Sequence, residues 1–209
     1  MARAVSRRML LCTLASVLAG VSLPHEAHAE KLSVDEEKRL ARGEVVKRTF
    51  EVDLPRGDYI GGLGYVIIAA PPAEIIDVLL TPSSYLHIFA LTQEARLAAR
   101  EGDDFIITLR QGGKKISGEY SVRARRETPS LVRFWLDPSR PHDIDDCWGF
   151  FRLDPLPGGK TLLTYGALLH LEFGIMKLLF QEKIRGYALE TPARLRAYVE
   201  NRRTSRTSE

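Results

Sequence analysis

From residue 91 to residue 170 the chain repeats one device: a run in which every second side chain is apolar, then a short turn built from glycine, proline or acidic residues. Leu91, Gln93, Ala95, Leu97 and Ala99 alternate with Thr92, Glu94, Arg96 and Arg100; Phe105, Ile107 and Leu109 alternate with Thr108 and Arg110. Ile116, Gly118, Tyr120, Val122 and Ala124 alternate with Ser117, Glu119, Ser121, Arg123 and Arg125. The pattern continues through 131–137 (Val132, Phe134, Leu136), through 146–154 around Trp148, and through 160–170 (Leu163, Tyr165, Ala167, Leu169). A period of two places each apolar set on one face of a strand, and the turns EGDD, QGGKK and LPGGK join neighbours as hairpins. Six antiparallel strands with one apolar face need a cover.

The sequence offers that cover at its end. In FGIMKLLFQEKIRGYALETPARLRAYVE, 173–200, the residues Met176, Phe180, Ile184, Tyr187, Ala188, Thr191, Leu195 and Tyr198 recur at steps of three and four, which makes one apolar stripe on a long helix. Pro192 should kink or restart that helix, with Thr191 as a cap. The final NRRTSRTSE is polar and expected to fray. Upstream, Ser33-Val34-Asp35-Glu36 has the spacing of a capping box and starts a helix over 34–42. Residues 44–53 read as a strand with Val46, Phe50 and Val52 on one face, followed by a turn at Pro55–Asp58. An apolar strand then runs to Ala70; Pro72 opens a helix through Leu80 and Pro82 a second short one.

Residues 1–29 stand apart. Arg3, Arg7 and Arg8 precede the apolar run MLLCTLASVLAGVSL and the small-residue site Ala27-His28-Ala29, the layout of a secretory signal cleaved after Ala29. Ser6-Arg7-Arg8-Met9-Leu10-Leu11 also fits a twin-arginine signal, so both export routes stay open. Localisation is therefore expected to be exported, in a bacterial periplasm. The whole chain carries +3, and removal of this segment leaves +1. So small a charge argues against nucleic acid as a partner, because affinity for phosphate backbones needs many charges neutralised at once. Cys12 leaves with the signal, and Cys147 alone cannot form an internal disulfide.

The order of elements, strand, two short helices, six antiparallel strands and a long C-terminal helix, resembles the START-like or Bet v 1-like (SRPBCC) helix-grip superfamily, which includes polyketide cyclase-like and coenzyme Q-binding-protein-like bacterial members. The resemblance rests on YVIIAAPPAEIIDVLLTPSSYLHIF, on WGFF followed by KTLLTYGALL, and on the terminal helix. It departs from the superfamily at Thr81-Pro82, where an aspartate is usual, and in the added strand 44–53. It implies an α+β helix-grip fold, a curved antiparallel sheet wrapped around the long C-terminal helix with two short helices after the first core strand. The domain expectation is a signal over 1–29, an N-terminal helix and extra strand over 30–59, the helix-grip domain over 60–201 and a flexible tail over 202–209.

Such folds enclose a cavity between sheet and helix, and the inward faces nominate its lining. Those residues are Gln93, Leu97, Phe105, Ile107, Leu109, Tyr120, Val122, Phe134, Trp148, Leu163, Tyr165, Met176, Phe180, Ile184 and Tyr187. The polar tips Gln93, Tyr120 and Tyr165 would bond one another, water or a ligand. The stretch RPHDIDDCWGFF, 140–151, gathers His142, Asp143, Asp145, Asp146 and Cys147 between two strands. Its donors sit in too few consecutive positions for a metal site, and it reads as a solvated rim, with Asp146 at the strand entry and a bulge at Trp148-Gly149. No metal, cofactor or catalytic residue is nominated. His87 and His170 read as structural. Arg123, Arg125, Arg126 and Arg133 read as a modest basic face, a candidate for peripheral membrane contact. The expected function is a monomeric, exported carrier of a hydrophobic small molecule or lipid, such as an isoprenoid quinone. The alternatives are a cyclase or aromatase-like enzyme using a cavity tyrosine or histidine, and a structural partner of an envelope protein with a filled interior.

Overall fold

The computed structural model describes residues 31–54, 57–113, 117–171 and 183–207. The export signal over 1–29, the turn residues Pro55 and Arg56, the hairpin tip around Lys114 and Lys115, and Met176 and Phe180 lie outside the described residues.

Local chemistry sets each element. Ser33 Oγ accepts from the Glu36 N–H at 3.2 Å and Glu36 Oε2 accepts from the Ser33 N–H at 2.8 Å, closing the capping box of α1 (Val34–Ala41). Strand β1 (Val46–Leu54) pairs antiparallel with β2 (Gly57–Ile68). Pro72 opens α2 (Pro72–Leu79), and Pro82 opens a 3-10 turn (Pro82–Ser84) that runs into α3 (Tyr85–Ile88). Proline suits these positions because the first helical turn has no use for its missing N–H. Then come β3 (Thr92–Glu101), β4 (Asp104–Gly112), β5 (Ser117–Thr128), β6 (Leu131–Leu136), β7 (Asp146–Leu156) and β8 (Lys160–His170). A helical segment over 183–188 (α4) and a final helix α5 (Thr191–Thr207) complete the described chain.

The eight strands form one antiparallel sheet in the order β1-β2-β8-β7-β6-β5-β4-β3. Six of them meander, and β8 returns to pair with β2, so the link through α2 and α3 spans the sheet from β2 to its far edge at β3. The sheet is curved and open, and the C-terminal helix lies in its concave face. There Val66 and Ile68 of β2, Ile75 and Leu79 of α2, Leu153 of β7 and Leu163 of β8 pack with Leu195 and Val199 of α5. The convex face has a smaller core, in which Leu40 of α1 meets Val46, Leu63, Tyr65 and Phe150. Burying a side chain such as Leu40 contributes about 1.5–3 kcal/mol. Arg48 of β1 adds a two-pronged contact to Glu36 at 2.8 and 2.6 Å, and that hydrogen bonding holds the Glu36 carboxyl down to about 2. Strand β2 therefore alternates between two cores, Leu63 and Tyr65 outward and Val66 and Ile68 inward, which is why it reads as almost continuously apolar.

The C-terminal helix restarts beside Pro192, as the sequence suggests: Leu189 N donates to Arg185 O, Glu190 N to Gly186 O, and Arg194 N to Glu190 O, so α4 ends and α5 begins within residues 189–191. Other expectations need correction. Glu190 takes the capping position that the sequence suggests for Thr191, and Pro192 falls in the first turn, where it is tolerated. Helix α5 also continues through Thr207, past the boundary at 201. Its far end is tied down: Glu200 Oε1 accepts from Ala69 N at 2.9 Å, and Arg203 bonds Ala69 O and pairs with Glu74. No bulge occurs at Trp148-Gly149, where β7 keeps register with both neighbours. Gly149 instead makes room for the Phe134 ring, whose Cζ would stand 2.4 Å from a Cβ there. The bulges lie in β3, at Thr92/Glu94 and Leu97/Ala99, and in β5, at Arg126/Thr128.

Candidate functional site

Between the concave face and α3, α4 and the start of α5 lies a cavity of about 730 Å³, within the usual range for small-molecule sites. Strand β4 contributes Leu109 and Gln111, β5 Tyr120 and Val122, β6 Phe134, β7 Cys147, and β8 Tyr165, Ala167 and Leu169. Helix α3 and the residues after it add Tyr85 and Phe89; α4 adds Ile184, Tyr187 and Ala188. An aromatic cluster backs one wall, with Phe151 buried behind it: Phe151 and Tyr165 have ring centroids 4.9 Å apart, Phe134 and Phe151 5.6 Å, and Tyr85 and Phe89 4.9 Å. Lining residues that are also exposed mark the mouth, namely Leu91, Gly113, Ser117, Asp143, Lys183 and Tyr187.

Of the nominated lining, Leu109, Tyr120, Val122, Phe134, Tyr165, Ile184 and Tyr187 sit on the cavity wall. Ile107 and Leu163 are fully buried in the core beside it. Phe105 packs on the same core toward the opposite end of β4 from the mouth, under the guanidinium of Arg100 at 4.1 Å. Three nominations need correction. Gln93 is exposed, its amide donating to Gly112 O at 3.0 Å, because the bulge at Thr92/Glu94 shifts the alternation by one residue. Leu97 is 50% exposed, on an edge strand beside the second bulge. Trp148 stands opposite to Cys147 and Phe151 in the alternation of β7, which puts it on the convex side across from Trp135.

The sequence reading passed over Tyr85, Phe89, Gln111, Ile144, Cys147 and Thr191. Gln111 looked like a turn residue ahead of Gly112-Gly113, yet it belongs to β4. Its Oε1 accepts from the Tyr120 hydroxyl at 2.5 Å and its Nε2 donates to Thr92 Oγ1 at 2.8 Å. Cys147 could have been found from its phase with Phe151.

The groups of the 140–151 loop part company. His142 Nδ1 bonds Ile144 O at 2.7 Å, Asp143 Oδ2 accepts from Glu119 N at 2.8 Å, and Asp146 Oδ2 accepts from the Tyr59 hydroxyl at 2.6 Å. Only Asp143, Ile144 and Cys147 reach the cavity, so the loop is a rim. None of the described histidines lines it. His87 stacks on Tyr198 at 4.8 Å and His170 lies beside Tyr59 on the convex side. Burial pushes the phenols of Tyr85, Tyr120 and Tyr165 and the thiol of Cys147 well above their ordinary values, so all four are neutral near pH 7.

The arginine face also differs from expectation, because carboxylates share it. Arg123 pairs with Glu101 at 2.9 Å, Asp137 at 3.2 Å and Asp104 at 3.4 Å; Arg125 pairs with Asp104 at 2.5 Å and Arg133 with Glu127 at 2.7 Å. Hydrogen bonds from Arg125 hold the Asp104 carboxyl below its usual range. Burial would raise Asp137, but Ser139 and Arg123 outweigh it and leave it low. This cluster neutralises itself and locks β4, β5 and the end of β6 together.

No family model matches the chain, and a comparison with curated proteins finds no match. Solved structures do match. A STAR-related lipid transfer protein from Xanthomonas axonopodis superposes with a TM-score of 0.63 at 14% identity, covering 75% of this chain and 93% of that one. Human STARD10 gives 0.60 at 10%, covering 79% and 73%, and the Zhui aromatase/cyclase from Streptomyces sp. R1128 gives 0.53 at 15%, covering 75% and 96%. The chain has the START-like helix-grip fold. At these identities the helix-grip likeness establishes architecture, and function has to come from the cavity.

Proposed function

We propose that this helix-grip chain is a binding or carrier protein for a hydrophobic small molecule, held between the sheet and helices α4 and α5, and that it works after export. The observation that carries the reading is the 730 Å³ cavity with apolar and aromatic walls and, among the described residues, charge confined to the mouth. Transfer of apolar surface from water into such a space is the driving force for binding. The shared fold adds weight, since one structural relative is named for lipid transfer and another for aromatase/cyclase activity. Carriage is favoured over catalysis because no described histidine reaches the cavity, Tyr85, Tyr120, Tyr165 and Cys147 hold their protons, and the described lining carboxylate, Asp143, is exposed at the mouth.

The test is native mass spectrometry of the protein purified from its host's envelope, before and after organic extraction, followed by titration of the extracted protein with a fluorescent fatty acid and a quinone. A co-purifying apolar molecule and saturable rebinding are expected. Absence of both would refute the proposal. The same preparation tests export, since its first residue should be Glu30.

A further inference from the structure

At the buried end of the cavity the hydroxyls of Thr191 and Tyr165 stand together. Thr191 is fully buried in the first turn of α5, it caps nothing because Glu190 holds that position, and its Oγ1 has no hydrogen-bond partner among the described residues. Tyr165 reaches the same point from β8. Its hydroxyl lies close enough to Thr191 to temper the upward push of burial on the phenol, while Thr191 Oγ1 makes no well-formed hydrogen bond of its own. The buried phenols of Tyr85 and Tyr120 are satisfied, Tyr85 donating to Leu79 O at 2.9 Å and Tyr120 to Gln111. An unpaired buried hydroxyl is destabilising, and a fold that retains one beside a phenol in a cavity has a use for it.

Charge narrows the class of guest. The charged lining residues among those described are Asp143 and Lys183, both exposed at the mouth. An ionised head group at the Tyr165–Thr191 end would sit in a low-dielectric space with no counter-charge, which is strongly unfavourable. A hydroxyl or carbonyl oxygen there would meet two groups that can each donate or accept. Building on the hydrophobic-ligand reading above, we infer that the guest is an uncharged apolar molecule bearing a hydroxyl or carbonyl, which enters oxygen first and hydrogen-bonds Tyr165 and Thr191. Its hydrocarbon fills the remaining space toward the mouth.

Three probes of one chain length separate the cases: hexadecan-1-ol, hexadecane, and hexadecanoate at pH 8. Each is titrated, by displacement of an apolar fluorescent dye, into the extracted full protein and into Tyr165→Phe and Thr191→Val. The alcohol should bind more tightly than the carboxylate. Each substitution should weaken the alcohol about three- to tenfold and leave hexadecane and the dye within about twofold. Thermal midpoints should fall little, because the contact between the two hydroxyls is no well-formed hydrogen bond for Thr191; a large fall in both would assign the pair a structural role and overturn the inference. Alcohol affinity unchanged in both variants would also overturn it while leaving the hydrophobic-ligand reading intact. Hexadecanoate binding as tightly as the alcohol would refute the uncharged class. Failure of the dye, the alcohol and the hydrocarbon alike to bind would remove the reading on which the inference rests.

Discussion

At Gly64 of β2 the C-terminal helix packs closely on the sheet, and adding one methyl there should move the helix. An ideal Cβ at this position would lie 2.6 Å from Pro192 Cγ and 3.5 Å from its Cδ. Ordinary contact begins near 3.4 Å, so the two backbones must separate by about 0.8 Å. A proline ring cannot rotate away as a longer side chain could, and the displacement passes to α5. Overpacking of this kind costs about 1–3 kcal/mol. In a domain of this size each kcal/mol lowers the thermal midpoint by about 2–4 °C. Gly64→Ala is thus expected to melt about 2–12 °C lower by calorimetry. Because Thr191 adjoins Pro192, the variant should also lose affinity for a hydroxyl-bearing ligand. Pro192→Ala in the same background removes the offending ring atoms and should recover most of the loss, a coupling that a double-mutant cycle measures directly. If Gly64→Ala melts with the parent, or if Pro192→Ala adds its own deficit without recovery, the packing argument fails.

Other outcomes can be checked alongside. Glu36 sits at about 2 in the folded state against an ordinary 4.5, so it stabilises the fold above about pH 4.5 and that contribution disappears as pH falls toward 2. Glu36→Gln should lower stability near pH 7 and flatten this part of an acid-unfolding curve, with Asp104 and Asp137, also held low, supplying the acid sensitivity that remains. The Cys147 thiol, held protonated chiefly by burial and secondarily by Asp146, should resist a thiol reagent at pH 8 in the native protein and react fully in denaturant; rapid native labelling would contradict the buried placement. Arg123→Ala should cost about 2–4 kcal/mol in urea unfolding, because Asp137, 1% exposed, and Asp104 each lose a partner. The double variant Arg123→Ala, Asp137→Asn should be less impaired than the single.

The sheet was legible because its signal is local: alternation names strand and face together, and glycine-rich turns mark the hairpins. The cavity was legible only where alternation stays in phase, as at Leu109, Tyr120, Val122, Phe134 and Tyr165. The bulges of β3 break that phase, and nothing in the run Leu91–Ala99 announces them, so Gln93 and Leu97 were assigned inward. Gln111 was hidden by the glycines that follow it. The arginines of β5 and β6 looked like a free basic face because their acidic partners sit in turns and on neighbouring strands, and cross-strand pairing depends on register. Thr191 has the residue type of a cap and, one position too late to serve as one, faces the cavity.

A strand apolar on one side only is indexed by water, since slipping one place would drown its greasy half. β2 has no such index, because a slip would trade one oily layer for the other. The notch at Gly64 supplies it: with Leu63 or Tyr65 slid beneath Pro192, the helix could not seat. A missing side chain thus helps to fix the alignment of the strand that both layers share.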